Sequence, residues 1–284
     1  MKIKFSFIDL FSGIGGFHSG LTAIKGKCVM ACDTDRFANE SYKHNYQIEP
    51  RGDIRTITSN SIPDFDLLCA GFPCQSFSNI GPNGGLSDSR GALIFQVIRI
   101  LKDRQPKSFI LENVKGLVNH NSGKTLSHII DKIEKAGYTV YHRILEAKDF
   151  DLPQIRKRLF IVGIHKKYDA VFKFPKPLQP GLTLNDVFRG KAERQYAFTI
   201  RIGGRRSGIN NRFNWDCYIV DGKPRYITLE ECLRLQGFPA NFFLAGNADQ
   251  KFKQVGNSIP TTIVREIGMQ LVKTNIFNSN SNIQ

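Results

Sequence analysis

The chain has no apolar run of membrane-spanning length, no Cys-x-x-Cys pair and no internal repeat. The first lack excludes a helical membrane protein, because a spanning helix needs about 20 consecutive apolar residues. The start, Met1-Lys-Ile-Lys-Phe5, runs straight into strand pattern without a secretory signal, so a soluble intracellular protein is expected. Cysteines at 28, 32, 69, 74, 217 and 232 show neither metal-ligand spacing nor the density of a disulfide scaffold. No metal is expected, and every thiol but Cys74 is expected in or near the core. Missing too is the third glycine of a G-x-G-x-x-G turn. Gly13, Gly15 and Gly16 follow an apolar run ending at Asp9, but position 18 is histidine. A dinucleotide needs its pyrophosphate seated on a helix N-terminus. An adenosine cofactor without phosphates needs only close backbone approach, which these glycines permit.

What the chain has in excess is positive charge, a formal +15 over 284 residues. Its 41% hydrophobic content is ordinary for one large domain or a domain and a half. Residues 189–225 hold nine Lys or Arg against three acids, interspersed with glycines and with Asn210, Asn211 and Asn214. A solvated basic surface is the plainer account of such charge. A loop-rich basic segment can also follow a phosphate backbone and reach base edges.

Strand-like runs recur at 4–10, 28–32, 65–70, 107–112, 139–147 and 158–164, with amphipathic stretches at 18–25, 35–46, 91–103 and 124–136. This alternation predicts an α/β fold with a doubly wound, mostly parallel sheet, whose ligands collect beyond the C-terminal strand ends. Residues 1–177 are expected to form that domain. Prolines at 175, 177 and 180 then break the pattern, and 178–250 is read as a smaller, irregular, β-rich unit. A helix starting near Thr228 lies within it, followed by a loop rich in Gly, Asn and Ala. Residues 251–274 return to the first domain with a C-terminal helix from about Pro260 to Lys273, and 275–284 form a polar tail.

Three short stretches carry chemistry. Cys74 follows an apolar strand in the loop Gly71-Phe-Pro-Cys-Gln75, where a thiolate facing a cofactor pocket can act as a nucleophile. Glu112 ends another apolar strand. Arg156 and Arg158 precede a third, and alternation puts both on one face, suited to gripping an anion. Each has a bland reading as packing, a strand-end acid or a solvated edge.

Together the motifs resemble the DNA (cytosine-5)-methyltransferases of bacterial restriction-modification type, in that family's order, from residue 5 to about 270. They are Asp9-Leu-Phe-Ser-Gly-Ile-Gly-Gly16, Gly52-Asp-Ile54, Gly71-Phe-Pro-Cys-Gln75, Asp88-Ser-Arg-Gly91 and Glu112-Asn-Val114. Gln154-x-Arg-x-Arg158, Arg234-Leu-Gln-Gly-Phe-Pro239 and Gly256-Asn-Ser258 complete the set. Residues 62–100 look most like a GCGC-specific member.

The resemblance implies an S-adenosylmethionine-dependent fold with a separate target-recognition domain. It implies that Cys74 attacks C6 of a flipped-out cytosine, that Glu112 meets N3 and the 4-amino group, and that Arg156 and Arg158 hold the nucleotide. The cofactor is expected against Asp9, Phe11, Gly13, Ile14, Gly15, Asp33, Asp53, Ile54, Pro73, Leu93, Asn257 and Ser258. Double-stranded DNA is expected at Gln75, Ser78, Arg90, Thr199, Arg201, Arg205 and Arg206. The enzyme is expected to be a monomer without an obligate protein partner. Thr34 departs from the family, which often carries an adenine-stacking aromatic there. Rival readings are a catalytically silent nucleic-acid-binding relative, an RNA cytosine methyltransferase on the same fold and, less in keeping with the missing glycine, a nicotinamide oxidoreductase.

Overall fold

A computed structural model describes residues 3–73 and 92–278. Six strands form one sheet in the order β2-β1-β3-β4-β6-β5. They are β1 (Phe5–Leu10), β2 (Gly26–Cys32), β3 (Leu67–Gly71), β4 (Ser108–Val114), β5 (Tyr138–Glu146) and β6 (Lys157–His165). β1 to β4 pair in parallel, and β6 joins both β4 and β5 antiparallel. The expected mostly parallel sheet is present, with strand ends within about two residues of those read from periodicity.

Alternation along the strands divides the core into two layers. Ile8, Leu10, Leu68, Ala70, Phe109 and Leu111 face α3 (Ala92–Arg104) and α4 (Lys124–Lys135), meeting Val97, Leu101, Ile129 and Ile133. Phe7, Leu67, Ile110, Phe160 and Val162 point the other way, toward α1 (Gly16–Thr22) and α8 (Thr261–Lys273). Helix α1 lies close on α8: a β-carbon added to Gly20 would sit 2.6 Å from the Thr261 carbonyl oxygen. Helix α2 (Arg36–Tyr46) starts where Asp35 accepts hydrogen bonds from the Phe37 and Ala38 amides.

A third core runs from Leu184 to Val255 around Trp215 and Tyr218, and it includes Ile14 from the glycine turn. It holds α5 (Leu184–Phe188), the hairpin β7 (Cys217–Val220) and β8 (Lys223–Tyr226), α6 (Leu229–Gln236) and α7 (Ala248–Asn257). The expected β-rich character reduces, among the described residues, to that one hairpin. Helix α7 stands where a loop was expected and crosses the boundary drawn at 250. Its start was legible: Asn247 and Gln250 form a capping box across Asn247-Ala-Asp-Gln250. No helix among the described residues is long and apolar enough to cross a membrane.

Candidate active site

The turn between β1 and α1 is forced into an unusual shape. Phe11, Gly13 and Gly15 all have positive φ, at 55°, 52° and 84°. The two glycines do different jobs. A side chain at Gly15 would collide with the Tyr46 ring, whereas an atom added at Gly13 meets nothing within 4 Å. Gly13 therefore lines open space, and its amide donates to Asp33 Oδ2 at 2.8 Å. Asp33 Oδ1 accepts from the Asp35 amide at the same distance, which fixes the carboxylate just past β2. Burial raises the Asp33 carboxyl above the usual carboxylate range.

His18, in place of a third glycine, is packing. Its ring stacks on Tyr46 with centroids 3.9 Å apart, and Nδ1 lies 2.7 Å from the Tyr42 hydroxyl. Burial lowers its pKa to about 4, so the ring is neutral.

Several expected cofactor residues lie behind this surface rather than on it. Asp9 is fully enclosed, and burial pushes its carboxyl well above the ordinary range, against the opposing effect of the His18 main chain. Ile14, Gly15 and Ile54 are buried as well, Ile54 in the core layer against α3 and Ile14 in the third core. Phe11, Leu93 and Asp53 are partly accessible, and Pro73 and Asn257 are exposed. Asp53 is engaged already, capping a short helical turn through the Arg55 amide and pairing with the Arg55 guanidinium. The Ser258 hydroxyl is turned inward and donates to the Val255 carbonyl.

The catalytic expectation centres on the end of β4. Register places Glu112 opposite Gly71 on β3 and Phe160 on β6. Glu112 Oε1 lies 2.9 Å from Arg158 Nε, with both side chains largely buried. Burial raises the Glu112 carboxyl above its usual range, against the opposing pull of Arg158 and then Arg156. Asn113 donates from Nδ2 to the Phe72 carbonyl at 2.8 Å, pinning the chain two residues before Cys74. Cys74 itself, with Gln75, Ser78 and Arg90, lies outside the described residues. The other five thiols are buried, and burial raises Cys28 and Cys32 to about 12, the setting of unreactive packing thiols.

Arg156, expected beside Arg158, is engaged within the protein. It is 1% exposed and donates to three main-chain carbonyls, those of Ile200, Gly256 and Ser258. The strand alternation that put it beside Arg158 is correct only from Lys157 onward, because β6 begins there and 153–156 is irregular. Arg156 thus ties together three main-chain segments of the protein.

Within the basic segment, Thr199 donates its hydroxyl to the Ile155 carbonyl, and Arg201 and Arg206 are exposed. Arg205, expected among the DNA contacts, is engaged within the protein. Its guanidinium stacks over Phe252 at 3.8 Å and pairs with Asp249 at 2.8 Å, holding the segment to α7. Asp216 accepts from the Arg206 amide, and Trp215 Nε1 donates to Gly203, so the loop 203–216 is cinched at its base. Its outer residues Arg212 and Phe213 are exposed, with the guanidinium 4.5 Å from the ring centroid. Gln154 and Gln236 had been given no role, yet both are fully buried and hydrogen-bonded across elements. Only their place inside otherwise apolar surroundings could have flagged them. Among the described residues, no three His, Cys, Asp or Glu side chains gather to hold a metal ion.

Comparison with known proteins agrees with this arrangement. A family model for C-5 cytosine-specific DNA methylases matches residues 5–202 and 184–273. Type II methyltransferase M.DsaV of Dactylococcopsis salina is 37% identical over 304 residues, covering 95% of this chain and 87% of its own. Type II methyltransferase M.HaeII of Haemophilus aegyptius is 36% identical, covering 95% and 94%. The solved structure of Spodoptera frugiperda DNMT2 superposes with a TM-score of 0.73 at 20% identity over 96% of this chain and 99% of that one. That of the Entamoeba histolytica methyltransferase EhMeth gives 0.73 at 17% identity, over 98% and 99%. At such identity the structures speak for the fold alone, which is the one the sheet order describes. Sequence likeness extends over nearly the whole length, through both the parallel sheet and the segment beyond it, and on that ground the chain belongs to the C-5 cytosine-specific DNA methylase family and is a DNA cytosine-5 methyltransferase.

Proposed function

We propose that the protein transfers a methyl group from S-adenosylmethionine to C5 of a cytosine flipped out of duplex DNA, through a covalent bond between Cys74 and C6. The observation that carries this reading is the buried Glu112–Arg158 pair at the end of β4, beside the strand that leads through Asn113-anchored Phe72 to Cys74. C5 is a poor nucleophile, so the Cys74 thiolate adds first to C6. Glu112 holds a proton at N3 as charge builds on the ring, a role that its raised pKa favours. Arg158 fixes the Glu112 carboxyl and offers the site positive charge. When bound, S-adenosylmethionine supplies an electrophilic methyl group to C5. Loss of the C5 proton and expulsion of Cys74 then restore the aromatic ring and the free thiol.

The open side of Gly13 with the oriented Asp33 carboxylate suits an adenosine cofactor without phosphates, Asp33 accepting from ribose hydroxyls. Exposed Asn257 serves the methionine end. The target base must leave the duplex because both faces of its ring are needed. Residues 195–225 contact the DNA, with Arg201 and Arg206 as the accessible candidates from the original set. The Type II methyltransferase relatives support a role in protecting bacterial cytoplasmic DNA within a restriction-modification system. The enzyme acts as a monomer.

Tritiated-methyl incorporation into duplex DNA tests the reading. Cys74→Ser is expected to abolish incorporation while retaining DNA binding, and 5-fluorocytosine at the target is expected to trap the wild-type enzyme covalently. Substantial transfer by Cys74→Ser would overturn it. Bisulfite sequencing of DNA from expressing cells maps the modified site.

A further inference from the structure

Two segments with different proposed ligands are tied to one buried guanidinium. Ile200 opens the recognition segment, and its main chain is held at both ends by residues two apart in sequence. Gln154 Oε1 accepts from the Ile200 amide at 3.2 Å, and Arg156 Nη1 donates to the Ile200 carbonyl at 3.2 Å. On its other side Arg156 Nη2 donates to Gly256 at 2.8 Å and Ser258 at 2.7 Å, flanking the cofactor residue Asn257. Gln236 adds bonds to Val255 at 3.0 Å and Ser258 at 3.2 Å. The two segments also touch directly, since a β-carbon on Gly256 would lie 2.9 Å from the Arg201 carbonyl carbon and oxygen.

A buried arginine bonded to neutral carbonyls alone is a costly way to fill space. Arg156 even leaves Nε unpartnered. What only the planar fork supplies is simultaneous, directional grip on two chain segments. A lysine ammonium has no such fixed geometry.

We infer that Arg156, braced by Gln154 and Gln236, is a positioning residue through which S-adenosyl cofactor binding at 256–258 and duplex binding at 199–206 strengthen one another. The inference rests on the proposed placement of both ligands. A ligand that orders 256–258 fixes the Arg156 fork and so removes part of the cost of ordering 199–202. The same gain must then appear in reverse, because binding linkage is reciprocal.

The test measures duplex affinity by fluorescence anisotropy with and without saturating S-adenosylhomocysteine, and S-adenosylhomocysteine affinity by calorimetry with and without duplex. The duplex carries the site mapped by bisulfite sequencing. Wild-type enzyme is expected to show the same gain in both directions, within the range of about 5- to 150-fold typical of coupled sites. Arg156→Lys is expected to bring that factor below about 2-fold, well under the same range. Arg206→Ala, outside the node, is expected to weaken duplex binding equally with and without S-adenosylhomocysteine, leaving the factor intact. Should Arg156→Lys fail to fold, Gln236→Leu replaces it and is expected to lower the factor too. Binding of both ligands to wild type without coupling, or an unchanged factor in the folded node variant, overturns the inference and leaves the proposed function standing. Failure of wild type to bind either ligand overturns the proposed function instead.

Discussion

Removing the Arg158 side chain gives the sharpest reading of the catalytic pair. Its Nε lies 2.9 Å from Glu112 Oε1, and the two side chains are only 14% and 11% exposed. Breaking a buried pair by deleting one partner costs about 3–5 kcal/mol when the other stays charged. Glu112 has an escape, since it can take up a proton. Its folded-state pKa is already raised by burial, and Arg158 is the strongest influence opposing that rise. Arg158→Ala is therefore expected to raise it further. A carboxyl with a raised folded-state pKa binds more protons folded than unfolded, so stability falls as pH climbs from the unfolded pKa through the folded one. The loss is at most about 1.4 kcal/mol per pH unit. In the variant this decline continues to higher pH than in wild type. Urea denaturation from about pH 5 to about pH 8 should thus show a stability gap that is small at the acid end and widens toward the 3–5 kcal/mol bound. A gap that stays constant, or narrows with rising pH, would refute the idea that Arg158 opposes the rise of the Glu112 pKa.

Glu112→Gln keeps the shape of the side chain but removes its proton, and is expected to lower methyl transfer by about 10²- to 10⁴-fold with duplex affinity retained; near-normal single-turnover rates would exclude a proton-holding role. Asp33→Asn weakens the acceptor for the Gly13 amide and for ribose, and a charge-assisted bond of about 1.5–3 kcal/mol predicts S-adenosylmethionine affinity about 10- to 150-fold lower by calorimetry. Gly13→Ala meets no atom of the protein, so it should cost only the strain of positive φ, about 1–3 kcal/mol, while blocking the cofactor; unchanged cofactor affinity would remove Gly13 from the pocket. Arg201→Ala, Arg206→Ala and Arg212→Ala, tested on cognate and scrambled duplexes, separate base reading from phosphate contact. A reader of guanine loses about 1–3 kcal/mol on the cognate site alone, whereas phosphate contacts weaken both duplexes and flatten the salt dependence.

The sequence by itself determined the sheet and the placement of Glu112 and Arg158 at its strand ends. Strand periodicity in runs such as Phe5–Leu10 and Ser108–Val114 is local, and so is the glycine turn that needs positive φ at Gly13. Glu112 and Arg158 were legible because each sits on or at the start of a regular strand, where register carries both to the same edge. Only the tertiary structure decided which residues of these motifs are accessible and which are enclosed. Asp9, Ile14 and Ile54 belong to motifs that read as ligand-binding, but all three are buried, Ile54 and Ile14 among core residues distant in sequence. Arg156 and Arg205 look alike as exposed cations in a basic chain, yet one is consumed by the carbonyls of Ile200, Gly256 and Ser258 and the other by Asp249 and Phe252. Those partners lie 44 to 102 positions away. Periodicity reports which face of an element a residue occupies, and it is silent about what the rest of the chain lays against that face.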